Sequence, residues 1–76
     1  MNRKHLIKMA NQIGGFFEAM PDPVKAVTDV ANHLKGTWEP RMRAEILKTL
    51  GTADEAKLKP VVRDALLVLG QSDTAS

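Results

Sequence analysis

The 76-residue chain has no cysteine and no tyrosine, and it has only two histidines and three aromatic residues. The lack of cysteine excludes disulfide bonds, thiolate metal ligands and cysteine nucleophiles, and it fits a reducing compartment. His5 and His33 lie far apart in the sequence, and neither has a carboxylate at metal-ligand spacing. The composition therefore predicts no catalytic, cofactor or metal site, and it favours a binding or structural role.

The chain also has little excess charge and no long apolar run. Eleven Lys and Arg residues against nine Asp and Glu residues give a net charge of +2, which is too small for a nucleic-acid footprint. The segment after Pro40 is the only candidate recognition helix, and two glutamates partly cancel its basic residues. No stretch approaches the roughly 20 apolar residues that span a membrane. The sequence predicts neither nucleic acid nor a membrane as a partner.

Apolar residues recur at helical spacing, and no segment alternates as a strand does. The pattern predicts an all-α fold, a small compact bundle of four short helices over residues 5–20, 23–35, 40–50 and 60–69. Three helices are predicted to start at a proline, and glycines after residues 35, 50 and 69 are predicted to end theirs. Residues 1–70 would form one helical domain, with a helical turn possible between residues 52 and 59 and a disordered polar tail over 71–76.

The first helix lacks long polar side chains on part of the face opposite its apolar stripe. Each interior glycine costs about 1 kcal/mol relative to alanine, so two adjacent ones oppose the helix they occupy. One interpretation is a shallow groove that a partner's backbone could approach. The other is that Gly14 lets a neighbouring helix pack closely, or that the two glycines mark a kink. Asn11, Gly15 and Ala19, spaced four residues apart, would form this groove, and the predicted partner interface on this helix also includes Lys8 and Gly14.

Four more residues are candidates for a partner interface. Arg43 lies in the apolar sector of its helix, whereas Arg41 lies on the polar side. Arg43 therefore needs a carboxylate partner within the chain, an aliphatic stem that reaches past the edge of the core, or an anchor site in another subunit. Trp38 could form a lid over the junction of helices 2 and 3 or an exposed interface aromatic. Leu67 points away from the main apolar stripe of helix 4, so either the fold or a partner must cover it.

Two segments resemble the delta subunits of bacterial NAD-dependent, molybdenum- or tungsten-containing formate dehydrogenases. The first is residues 6–14 (LIKMANQIG) followed by Phe16-Phe17, and the second is His33-Leu34 with residues 38–43 (WEPRMR). Residues 60–66 (PVVRDAL) are also similar to the family's last helix. The likeness runs from about residue 5 to residue 69 of the chain.

The resemblance implies a non-catalytic accessory subunit in the bacterial cytoplasm. Its partners would be the catalytic large subunit, which oxidises formate to carbon dioxide, and diaphorase-type subunits. The complex would hold bis-molybdopterin guanine dinucleotide with Mo or W, iron–sulfur clusters, FMN and NAD, with no cofactor in this chain. The expected role is docking on the catalytic subunit to support its assembly or stability. The alternatives are a transient maturation chaperone for cofactor insertion and a nucleic-acid-binding regulator.

Overall fold

Short polar side chains and prolines fix where the helices begin. In the computed structural model, which describes the backbone of residues 2–74 and the side chains of residues 2–71, α1 spans Arg3–Glu18 and α2 spans Pro23–Thr37. The Asn2 side chain accepts a hydrogen bond from the backbone N–H of His5, and Asp22 accepts two at the start of α2. These caps satisfy N–H groups that have no partner inside the helix.

The remaining elements are short and follow one another closely. Helix α3 spans Pro40–Leu47, a 3₁₀ helix spans Ala53–Lys57, and α4 spans Pro60–Thr74. The described part of the chain contains no strand, so the prediction of an all-α bundle of four helices is confirmed. The three predicted starts at proline are also correct, because proline's fixed φ and missing N–H suit the first helical position. The 3₁₀ helix lies in the predicted connector.

Several predicted helix ends are wrong. Helix α2 continues through Gly36 to Thr37, and α4 continues through Gly70 to Thr74, so residues 71–74 are helical where a disordered tail was predicted. Residues 75 and 76 lie outside the described part. Among the described residues, only Gly51 has a positive φ, at 81°. Gly51 makes its left-handed turn four residues after α3 has ended, so no glycine directly ends α2 or α3.

The other two helices also differ from their predicted limits. Helix α1 starts two residues early, because Asn2 caps it, and it ends at Glu18, where a turn joins Met20 N to Phe17 O at 3.0 Å. Helix α3 ends at Leu47, and a series of turns carries the chain to Gly51. These turns occupy the segment that was predicted as the last part of helix 3.

The core lies where α2 and α4 pack together, with α1 lying across both and α3 closing one end. Burying one large aliphatic side chain contributes about 1.5–3 kcal/mol, so this cluster dominates the stability of so small a domain. None of the described helices has the length and apolar character needed to cross a bilayer. The largest fully buried apolar side chains are Val30, Leu34, Ile46, Val62, Leu66 and Leu69.

Candidate partner interface

Asn11, predicted as part of a surface groove, links α1 to the chain just before α4. Its Nδ2 donates to the carbonyl of Lys57 at 2.9 Å, and its Oδ1 accepts from the backbone N–H of Lys59 at 2.9 Å. Both ends of the amide are therefore used inside the molecule. Asn11 is a structural residue that fixes the entry into α4, and only its flank borders the surface.

The space beside Gly14 is also filled by side chains of the same molecule. A Cβ built on Gly14 would lie 2.5 Å from Cγ2 of Val62 and 3.1 Å from Cγ1 of Val61. Real Cβ atoms do not approach other carbons this closely, so the glycine permits the close crossing of α1 and α4. The interpretation that assigned Gly14 to helix packing is correct, and Gly14 is not available to a partner.

The outer face of α1 nevertheless carries an open groove of about 540 Å³. Gly15 is half-buried, and a Cβ there would meet only Cε of Lys59, at 3.7 Å. Lys8 is exposed on the rim. Ala19 is exposed at the C-terminal end of α1 and does not line the groove. The groove is lined by Lys4, Ile7, Lys8, Asn11, Gln12, Gly15 and Lys59.

Trp38 and Arg43 form the corner between α2 and α3. Trp38 is only 6% exposed, so the interpretation as a lid is correct and that of an exposed interface aromatic is wrong. The Nη1 atom of Arg43 donates to the carbonyl of Trp38 and to that of Lys35 at 3.2 Å. Arg43 thus has intramolecular partners, and they are backbone carbonyls at the end of α2 rather than a carboxylate. Arg41 is exposed beside Pro40.

Ion pairs of Arg3 that no sequence pattern predicted join α1 to α3 and to the 3₁₀ helix. Nε and Nη2 of Arg3 donate to Oε2 of Glu45 at 3.0 and 2.8 Å, and Nη1 lies 3.5 Å from Oδ2 of Asp54. The hydrogen bond from Arg3 lowers the pKa of Glu45, and the Lys57 ammonium, followed by Arg3, lowers the pKa of Asp54. Arg3 is separated from Glu45 and from Asp54 by more than 40 positions, and periodicity cannot detect contacts of that range.

An exposed apolar surface lies between the N-terminal half of α2 and the outer side of α4. Val24 is 76% exposed, Leu67 49% and Val68 47%. The open groove between these helices, about 540 Å³ in volume, is lined by them together with Pro23, Val27, Thr28 and Asp64. A second groove of about 270 Å³ shares Pro23, Val27 and Asp64 with the first and extends towards Glu18 and Val61. We call this continuous surface the α2–α4 face. Only Leu67 of this face was singled out from the sequence.

The described residues contain no group of His, Asp and Glu side chains that could hold a metal ion. His33 is exposed and meets the ring of Phe17 edge-on, with the ring centroids 6.0 Å apart.

A known protein family matches most of the chain. The family model for the NADH-dependent formate dehydrogenase delta subunit, FdsD, matches residues 5–66. This chain belongs to the FdsD family. The family resemblance stated from the sequence is confirmed, and the match covers α1 to α3 and the first half of α4. No curated protein and no solved structure matches the chain.

Proposed function

We propose that this FdsD chain is the non-catalytic delta subunit of a formate dehydrogenase and docks on the catalytic subunit through the α2–α4 face. The observation that supports the proposal is the exposure of Val24, Leu67 and Val68 side by side. Adjoining exposed apolar side chains on a small domain mark an interaction site. The family assigns the chain to a multi-subunit enzyme, which supplies the partner.

The role follows from mass action. A protein that binds only the assembled, competent form of the catalytic subunit shifts the population towards that form. Burying a fully exposed aliphatic side chain contributes about 1.5–3 kcal/mol, and these three side chains, which are already partly covered, contribute less than that each before the entropic costs of association are subtracted. The α2–α4 face therefore suits a contact that stabilises an assembly without performing chemistry.

The cofactors of the complex are assigned to the partner subunits. The chain has no cysteine for an iron–sulfur cluster, and the described residues contain no metal-binding group. The bis-molybdopterin guanine dinucleotide with Mo or W, the iron–sulfur clusters, FMN and NAD would all be held by the catalytic and diaphorase-type subunits. We place the complex in the bacterial cytoplasm.

Two further roles remain as alternatives with distinct outcomes. A maturation chaperone that acts during cofactor insertion would bind the catalytic subunit transiently, so it would be lost during gel filtration, whereas a persistent subunit would elute with the complex. A nucleic-acid-binding regulator would bind DNA with a steep dependence on salt concentration. The net charge of +2 favours the subunit over the regulator.

Copurification tests the proposal. The tagged chain, expressed with the other subunits, should retain the catalytic subunit through gel filtration. Leu67→Asp and Val24→Asp should abolish this retention, because each places a charge in the apolar contact. Ala44→Asp is the matched control, since Ala44 is exposed on α3 and does not line the α2–α4 face. Fully active enzyme from cells that lack this chain would contradict the assembly role.

A further inference from the structure

We propose that the groove on the outer face of α1, rimmed by Lys4 and Lys8, binds an acidic polypeptide segment of another subunit. This α1 groove would be a second contact, separate from the α2–α4 face. The inference rests on the proposed function, because it takes the occupant from the same assembly. What it adds is the chemistry of the occupant: a segment with carboxylates spaced to meet two ammonium groups.

The charges on this face are uncompensated within the described chain. Residues 3–17 contain no Asp or Glu. Lys4 and Lys8 have no ion-pair partner among the described residues, whereas most of the chain's other basic side chains do. Residues four apart lie on the same side of a helix, so the two ammonium groups repel each other. An incoming carboxylate would remove this repulsion and gain two favourable pairs. The basic residues with ion-pair partners are Arg3, Lys25, Lys48, Lys57, Lys59 and Arg63.

The shape of the α1 groove suits a polypeptide backbone. Gly15 presents no side chain, and nothing but the Lys59 side chain lies within 4 Å of where its Cβ would be. Asn11 is held by two backbone hydrogen bonds, so one wall is fixed before the partner arrives. Fixed walls lower the entropic cost of binding. At the other end, Nζ of Lys59 bonds to Glu18 at 3.0 Å, which leaves the positive charge concentrated near Lys4 and Lys8.

A protein segment fits the α1 groove better than a nucleic acid does. No aromatic side chain lines the groove, so it has no platform on which bases could stack. Glu18 lies near its end and would repel a phosphate backbone that continued along α1. Carboxylates spaced along one helix or strand can meet Lys4 and Lys8 without reaching Glu18.

Binding of a labelled peptide of alternating Glu and Leu to the full chain tests the α1 groove independently of the proposed function. The Lys4→Gln/Lys8→Gln double variant should bind this peptide about 10-fold more weakly at low salt, and the difference should shrink at about 0.5 M NaCl. Lys4→Arg/Lys8→Arg should restore binding. The control Arg41→Gln/Lys48→Gln removes the same charge from α3 and from the residue that follows it, and it should bind like the wild type. Equal binding by both Gln variants would overturn the inference, as would equally tight binding of single-stranded DNA.

The same variants then separate the two proposals in the complex. Lys4→Gln/Lys8→Gln should slow association with the catalytic subunit and reduce its salt dependence, because charges steer the encounter of two proteins. Leu67→Asp should instead abolish the complex. If Leu67→Asp acts as expected while the lysine variant associates at the wild-type rate, the α2–α4 face is the docking site and the α1 groove is not a contact.

Discussion

Gly14 of α1 lies directly against Val62 of α4, and a Cβ on Gly14 would come within 2.5 Å of Cγ2 of Val62. Val62 is fully buried, and its branched side chain has little rotamer freedom with which to move aside. The missing side chain at Gly14 therefore sets how closely α1 and α4 approach. The stability lost by placing a glycine within a helix is recovered in this contact.

Gly14→Ala should destabilise the chain, although alanine is the better helix former. Overpacking costs about 1–3 kcal/mol, whereas replacing glycine with alanine in a helix gains about 1 kcal/mol. Because Val62 is buried and rigid, we expect an overpacking cost in the upper part of that range, which exceeds the gain. Gly15→Ala is the matched control and should stabilise the chain by about 0.5–1 kcal/mol, since its Cβ would meet only ordinary contact. Urea unfolding followed by circular dichroism measures both. A stabilised Gly14→Ala variant would show that α1 and α4 shift apart freely.

Asn11→Ala should cost about 1–3 kcal/mol, because the half-buried N–H of Lys59 and the carbonyl of Lys57 would both lose their partner. Gln12→Ala, one residue along at an exposed position, should change stability by less than about 0.5 kcal/mol. The free energy of unfolding measures both. Equal effects of the two substitutions would show that the segment before α4 is held by other contacts.

Stability should fall in acid because Glu45 is paired with Arg3, and Asp54 is paired with Lys57 and with Arg3. The pKa values of Glu45 and Asp54 are lowered in the folded chain, so their contribution is present above the unfolded values of about 4. It is lost as pH falls through the lower folded values. Melting temperature measured against pH should show a shallower acid limb for Glu45→Gln and for Arg3→Gln. The double variant should add little to either, and additive effects would show that the two residues act separately.

Arg43→Met should destabilise the chain by about 1–2 kcal/mol, because it keeps an apolar stem and loses the bonds to the carbonyls of Lys35 and Trp38. Arg41→Met removes the same charge from an exposed side chain two residues away and should be nearly neutral, within about 0.5 kcal/mol. Thermal unfolding distinguishes the two. If Arg43→Met does not change stability, the packing of Trp38 alone holds the corner between α2 and α3.

The four helices, and the starts of α2, α3 and α4 at proline, could be predicted because they depend on local chemistry. Asp22-Pro23 contains both a cap and a first helical residue, so the start of α2 is determined within two positions. The ends of α2 and α4 could not be predicted from Gly36 and Gly70, since a glycine permits a left-handed turn without requiring one. Gly51 makes the turn and the other two do not.

The candidate interface was predicted less well, for a physical reason. Positions on a helical wheel identify residues whose type does not suit the face they lie on. Asn11, Gly14 and Arg43 were found in this way. Whether such a residue is satisfied from within depends on contacts across the fold, such as the hydrogen bond between Asn11 and Lys57. The exposure of Val24 could not be predicted either, because Val24 lies in the apolar stripe of α2 and such a stripe predicts burial.

The burial of Trp38 has a practical consequence. It is the single tryptophan in a chain without tyrosine, and it lies beneath the corner held by Arg43. Its fluorescence should therefore be emitted at short wavelength in the native chain and move to the red only when that corner opens. Docking through a distant surface should leave the emission unchanged, which gives an optical signal that separates binding from unfolding without any added label.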